Sequence, residues 1–132
     1  LFDRLPPESY TPESSRRTYD ACFDEAARAL AAGQSVVFDA VSLKPEERDG
    51  IEALAGRYKV PFLGLWADAP LAVRLERIGS RRDNVSDAGA EVARRQEETD
   101  LGDMTWTVID SSGTRKNTVA GALAKIRDRG LA

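Results

Sequence analysis

The chain has 132 residues, enough for one domain with a buried core, and its 42% hydrophobic and 31% charged content is that of an ordinary globular protein. The net charge of −3 gives no electrostatic case for nucleic acid or an acidic membrane surface as a partner. Because there is no histidine and only one cysteine, Cys22, a zinc site, an internal disulfide and a Ser-His-Asp triad are excluded, so any chemistry must use carboxylates, Arg, Lys and hydroxyls.

A long amphipathic helix is predicted first, over about residues 12–32. Thr11 suits the N-cap, Pro12 the first helical position and Gly33 the position just past the end. The apolar residues that recur at helical spacing and predict its core face are Tyr19, Cys22, Phe23, Ala26 and Leu30.

A short apolar run over residues 35–38 then stops on an acid, Asp39. The run is too short and too β-branched for a helix, so it predicts a buried strand. An aspartate at a strand end commonly turns the chain and caps nearby amides, but a rigid strand end also suits a magnesium-coordinating carboxylate. The residues alone leave both interpretations open.

The rest of the chain continues this alternation. A second helix is predicted from Pro45 with Ile51, Leu54, Ala55 and Tyr58 on one side, and "PFLGLWAD" predicts a strand ending at Asp68. Further predicted elements are a helix over about 70–81, a charged segment over 82–99 with a loosely docked or mobile helix after Ser86, a strand "TWTVID" ending at Asp110, and a helix over 114–129. The last helix has a predicted core face of Val119, Leu123 and Ile126.

Apolar strands that alternate with amphipathic helices are typical of an α/β protein with a parallel sheet covered by helices on both faces. Ligand sites in such sheets lie outside the carboxyl ends of the strands. Asp39, Asp68 and Asp110 are all predicted at those ends. For Asp68 and Asp110 a capping role is the better interpretation.

Arginines are the second signal. Arg74, Arg77 and Arg81 recur at i, i+3 and i+7 on the third predicted helix, and Arg82 follows at once. They form either a solvated helix face or a clamp for a transferring phosphoryl group, and only Glu76 offers an opposite charge nearby in the same helix.

Three stretches, "YTPESSRRTYD", "GQSVVFDAVSLKPEER" and "RRDNVSDA", resemble in order and spacing the small P-loop kinase-like proteins of the AAA-type predicted ATPase family. These are similar to gluconate kinases, chloramphenicol phosphotransferases, zeta toxins and polynucleotide kinases. The resemblance implies a three-layer α/β sandwich and ATP-dependent phosphoryl transfer to a small acceptor with Mg²⁺.

The resemblance also implies roles for particular residues. Asp39 matches the family's metal-site acid. The residues to which it assigns catalysis are Asp39, Arg77, Arg81 and Arg82. The residues that it places beside the adenine are Asp110, Ser111, Ser112 and Gly113.

The phosphate-binding loop of such kinases, G-x-x-x-x-G-K-[ST], does not occur in residues 1–132. In the family it lies upstream of "LFDRLPPESY", together with the expected general base. The chain, which begins without Met, is therefore expected to be the C-terminal portion of a kinase-like domain, a single unit over 1–132 that is inactive alone. The absent strand would lie between 36–39 and 62–66, and another copy of the chain could fill the unpaired edges.

A non-catalytic interaction or regulatory module on the same scaffold is the alternative. No secretory signal or membrane-length apolar run is visible, and a single cysteine suits a reducing compartment, so the expected location is the cytoplasm. The expected partners are a nucleotide and a small acceptor, with no nucleic acid or membrane. The identity of the acceptor stays open.

Overall fold

The structure, a computed structural model, describes residues 12–80 and 86–131. The elements in these two ranges are, in chain order, α1 (Pro12–Ala31), α2 (Pro45–Arg57), β1 (Leu65–Asp68), α3 (Leu71–Ser80), α4 (Ser86–Glu98), β2 (Thr107–Asp110) and α5 (Arg115–Asp128). This order confirms the predicted α/β class, and every predicted helix occurs within a few residues of its expected bounds.

The sheet of the described residues consists of β1 and β2, which run parallel. Leu65 lies opposite Thr107, and Asp68 lies opposite Asp110. The Thr107 N–H also donates to the Gly64 carbonyl at 2.9 Å, which extends the ladder by one residue. β1 begins at Leu65, later than residue 62, where the predicted strand starts. The reason is that Thr107, the first residue of β2, lies opposite Leu65. Both terminal acids therefore lie at the same edge of the sheet, as predicted.

The predicted strand at 35–38 is wrong. Residues 34–43 form neither a helix nor a strand, and Val37 is 94% exposed. A strand needs a neighbouring ladder to satisfy its backbone, and no described strand pairs with this segment. Of residues 35–38 only Phe38 is half-buried, with its ring centroid 5.3 Å from that of Phe23. Asp39 consequently ends no strand and is exposed.

α1 packs on α2 around Phe23, whose ring lies 3.3 Å from the point where a Cβ on Gly50 would be. The buried apolar residues of the two helices are Ala26, Ile51, Leu54 and Ala55. Cys22, which the periodicity assigned to the core face, is exposed. At 100° per residue, Cys22 lies at the margin of the helical stripe that buries Phe23 and Ala26, so the prediction of a structural, buried cysteine is wrong.

α3 and α4 pack together through small residues. Ala93 is 4% exposed, and the Ile78 side chain lies 3.0 Å from the ideal Cβ position of Gly89. Val92, the large apolar residue in the middle of α4, is 50% exposed. Small side chains on the contacting face let two backbones approach closely, which a search for large apolar anchors misses.

α5 begins after Thr114, whose hydroxyl accepts the Asn117 N–H at 3.1 Å, and the helix packs on β2. Of its predicted core face only Ile126 is half-buried, because Val119 and Leu123 are 49% and 39% exposed. β2 covers one stripe of α5 and leaves these two residues beside it. None of the helices in the described ranges is both long enough and apolar enough to cross a membrane.

Candidate functional site

A cleft of about 300 Å³ is lined by residues of the 39–43 segment, of β1, and of the end of α4 with the loop that follows it. The charged residues of its lining are Asp39, Asp68, Arg74 and Glu97. Trp66 and Trp106 contribute apolar surface. A volume of this size is at the small end of ligand-binding sites, which span about 300–1,000 Å³.

The two acids reach the cleft from different kinds of backbone. Asp68 ends β1, whereas Asp39 lies in the irregular 34–43 segment. Among the described residues, no three Asp, Glu, His or Cys side chains gather closely enough to hold a metal by themselves. Mg²⁺ in nucleotide sites is usually held by one or two carboxylates together with phosphate oxygens, so an exposed pair such as Asp39 and Asp68 fits that donor set.

Arg74 is the arginine of the described stripe that lines the cleft with Asp39. Its guanidinium forms an ion pair with Glu97 of α4. Its Nε atom is buried and has no hydrogen-bond partner among the described residues. The helix sequence offers only Glu76 as a nearby opposite charge, because Glu97 belongs to a different helix. Arg74 is not among the residues to which the family resemblance assigns catalysis.

Arg77 contacts the turn after β2 rather than the cleft. Its guanidinium donates to the carbonyl of Ser111 and, at 3.0 Å, to that of Gly113. Within the turn, the Ser112 hydroxyl and N–H both donate to one carboxylate oxygen of Asp110, at 2.6 and 2.9 Å. These bonds, first the hydroxyl and then the N–H, lower the pKa of Asp110 below its ordinary value. The four predicted adenine-side residues therefore form one braced turn.

The same turn is joined to β1. The Ser111 N–H and hydroxyl both donate to the Asp68 carbonyl, at 2.8 and 2.9 Å. Arg81 and Arg82 lie outside the described residues, so their predicted catalytic role and that of Arg77 stay predictions.

Sequence reasoning missed Arg48 of α2, which is only 2% exposed. Its guanidinium donates to the carbonyls of Ser42 and Leu43, at 2.8 Å each, and to that of Leu101. The signal that could have found it is spacing, since Arg48 lies three residues before Ile51 and seven before Ala55 on the buried face of α2.

The turn that Arg48 contacts has an unusual backbone. Ser42 is buried with φ of +52°, a conformation that L-residues adopt at a cost. Its N–H donates to the Tyr19 hydroxyl at 3.0 Å. Burial raises the pKa of Tyr19, and the bond from Ser42 opposes that shift. The segment after Asp39 is thus held from α1 and from α2.

The parallel sheet of this α/β protein ends in two acids, beside a cleft that also holds an arginine, and this edge is where ligands of open α/β sheets ordinarily bind. The family model of the AAA domain matches residues 1–99, which is most of the chain. The chain therefore belongs to the AAA domain family and is P-loop NTPase-like. No curated protein and no solved structure matches it. The match supports the broad resemblance to P-loop kinase-like proteins and singles out none of their members.

Proposed function

We propose that the chain forms part of an ATP-dependent phosphotransferase that acts on a small acceptor with Mg²⁺. The observation that carries the proposal is the family match over residues 1–99, which includes the cleft residues Asp39, Asp68 and Arg74. A cytoplasmic location, where ATP is abundant, goes with this proposal.

In this proposal Asp39 would hold Mg²⁺, and Asp68, which lines the same cleft, would offer a second carboxylate. Mg²⁺ in such a site would supply charge neutralisation for the transferring phosphoryl group. Arg77, Arg81 and Arg82 would add positive charge, and the 110–113 turn would border the adenine. The contacts that support the last assignment are the hydrogen bonds from Arg77, which hold the turn in one shape.

The phosphate-binding loop is not among residues 1–132, so we expect this chain alone to bind Mg-ATP weakly. Titration calorimetry of the 132-residue chain with Mg-ATP measures this directly. Tight binding would contradict the expectation that the loop is required.

The activity itself is tested on a longer gene product that carries an upstream G-x-x-x-x-G-K-[ST], screened against a panel of metabolites for phosphorylation. Asp39→Asn should lower its rate by more than about 100-fold, because even outer-shell partners of metal ligands are worth roughly 10–100-fold. Asp49→Asn, at an exposed position on α2, is the matched control and should leave the rate unchanged. Equal rates in the two variants would count against a metal-binding role for Asp39.

A non-catalytic interaction or regulatory module on the same scaffold is the second candidate. The sequence encoded directly upstream of Leu1 distinguishes the two. An intact loop supports the enzyme, whereas a degenerate loop supports the module.

A further inference from the structure

Arg48 is a buried arginine whose hydrogen bonds all go to main-chain carbonyls. None of the ion pairs between described residues includes it. Burying a guanidinium without a carboxylate partner is costly, so its presence calls for a reason other than stability. We propose that Arg48 is a positioning residue, which fixes the 39–43 segment and the segment after α4 in their places around the cleft.

The Arg48 guanidinium forms a fork, because its two terminal nitrogens donate to two different chain segments. One terminal nitrogen of Arg48 donates to the carbonyls of Ser42 and Leu43, and the other donates to the carbonyl of Leu101. All three acceptors belong to residues that line the cleft. A planar group with five N–H donors at fixed angles can hold two chain segments in a defined relation, which a single-point donor cannot.

Arg48 also contacts the sheet. The guanidinium carbon lies 5.6 Å from the ring centroid of Trp66, in the middle of β1, within the range of a cation–π interaction. Arg48 therefore contacts β1 as well as the two loop segments. Asp39 lies three residues before Ser42, so the position of its carboxylate relative to Asp68 depends on this group.

Contacts other than those of Arg48 also shape both loop segments. Gly102 has φ of +62°, and a Cβ there would lie 2.6 Å from the Cγ of Pro45 at the start of α2. On the other side, Ser42 has φ of +52° and is held by the Tyr19 hydroxyl. Arg48 thus joins two preformed turns.

Hydrogen exchange of the 132-residue chain tests the proposal without any ligand. Arg48→Lys keeps the charge and the aliphatic stem but replaces the fork with one ammonium group. The Ser42 and Gly102 N–H groups, which donate to the Tyr19 hydroxyl and the Asp100 carboxylate, should exchange about tenfold faster or more, whereas the amides of α5 should be unchanged. Arg57→Lys, at the exposed end of the same helix, is the control. Unchanged exchange in both segments of Arg48→Lys overturns the proposal.

A second variant decides the matter if Arg48→Lys fails to fold. Asp100→Ala acts directly on the segment after α4 alone, because it removes the carboxylate oxygen that accepts the Gly102 N–H at 2.9 Å. If Arg48 couples the two segments, exchange of the Ser42 N–H should also accelerate. Acceleration confined to the Gly102 N–H contradicts the coupling.

The consequence for Asp39 rests on the proposed function and is tested with Mg-ATP on the longer gene product. Arg48→Lys should weaken Mg-ATP binding at least about tenfold, and this loss should shrink to less than about twofold in an Asp39→Asn background. An equal loss in both backgrounds overturns the positioning of Asp39. If Asp39→Asn alone has no effect, the proposed function fails, while the exchange data still decide the role of Arg48.

Discussion

Gly64 and Trp106 meet where the β1–β2 ladder begins. Gly64 is buried, and a Cβ on it would lie 2.3 Å from the Trp106 indole. The indole is also packed against Phe62, with ring centroids 5.7 Å apart, so it has little room to move. A side chain at position 64 would therefore displace the indole from the start of the ladder.

Gly64→Ala should lower the free energy of unfolding by about 1–3 kcal/mol because of this overlap. Gly56→Ala is the matched control, since no atom lies within 4 Å of its Cβ position and alanine favours the helix by roughly 0.5–1 kcal/mol. Urea unfolding followed by circular dichroism measures both. A Gly64→Ala protein as stable as the wild type would show that the indole is free to shift.

Asp110 provides the prediction for pH. Its carboxylate accepts two bonds from Ser112, which lower its pKa in the folded state. A depressed folded pKa stabilises the protein at pH values above the ordinary aspartate value of about 3.9, and this contribution is lost as the pH falls through the folded pKa. Ser112→Ala should therefore raise the pKa of Asp110 and move acid unfolding to higher pH.

Carbon-detected NMR titration of the Asp110 carboxyl group measures this pKa. Ser111→Ala is the control, because the Ser111 hydroxyl donates to the Asp68 main chain and not to the Asp110 carboxylate. An unchanged pKa of Asp110 in Ser112→Ala would mean that the hydrogen bond from the Ser112 hydroxyl does not favour the charged form.

At the scale of single residues, the sequence predicted that Asp39, Asp68 and Asp110 would end strands of one sheet. Asp68 and Asp110 do end β1 and β2, whereas Asp39 ends no strand and only lines the same cleft as Asp68. The sequence could not predict that Arg74 would pair with Glu97, or that Arg48 would be buried, because both facts depend on the packing of segments distant in sequence. An arginine in a helix is ordinarily exposed, so only its register with Ile51 gave a hint.

At the scale of elements, the helices were predictable and the strands only partly so. Helix bounds follow from local signals, such as Pro45 at the first position of α2 and the Lys44 N–H bond to the Glu47 carboxylate at 3.2 Å. A strand is defined by its partner. The 35–38 run has the composition of a strand, but it does not form one because no described strand pairs with it.

The N-cap of α5 is the element-scale test. Thr114→Ala removes the acceptor of the Asn117 N–H and should destabilise the protein by about 1 kcal/mol. Thr105→Ala, at an exposed loop position before β2, is the control and should change the stability by less than about 0.5 kcal/mol. Thermal unfolding compares the two variants. Equal losses would show that the cap contributes nothing beyond the side chain itself.

At the scale of the molecule, apolar surface and an open sheet edge occur together. β1 pairs with β2 on one side only among the described residues, and Val37 is 94% exposed. Unpaired strand edges are templates for association with another chain. We therefore propose that copies of this chain self-associate through β1 and the 34–43 segment.

Val37→Lys should shift the chain to the monomer in sedimentation velocity, because a charge on the apolar segment opposes its burial. Val119→Lys, on the uncovered side of α5, is the matched control and should leave the sedimentation coefficient unchanged. A wild-type chain that sediments as a monomer at every concentration would contradict the proposal.

The parallel pairing of Leu65 with Thr107 also has a kinetic consequence. Two helices, α3 and α4, must form and fold back before these strands can meet, so the ladder closes a long loop and is a late event. Substitutions within the ladder should then speed unfolding and leave the refolding rate nearly constant. The cleft edge is thus expected to assemble after α3 and α4 and to open before they unfold.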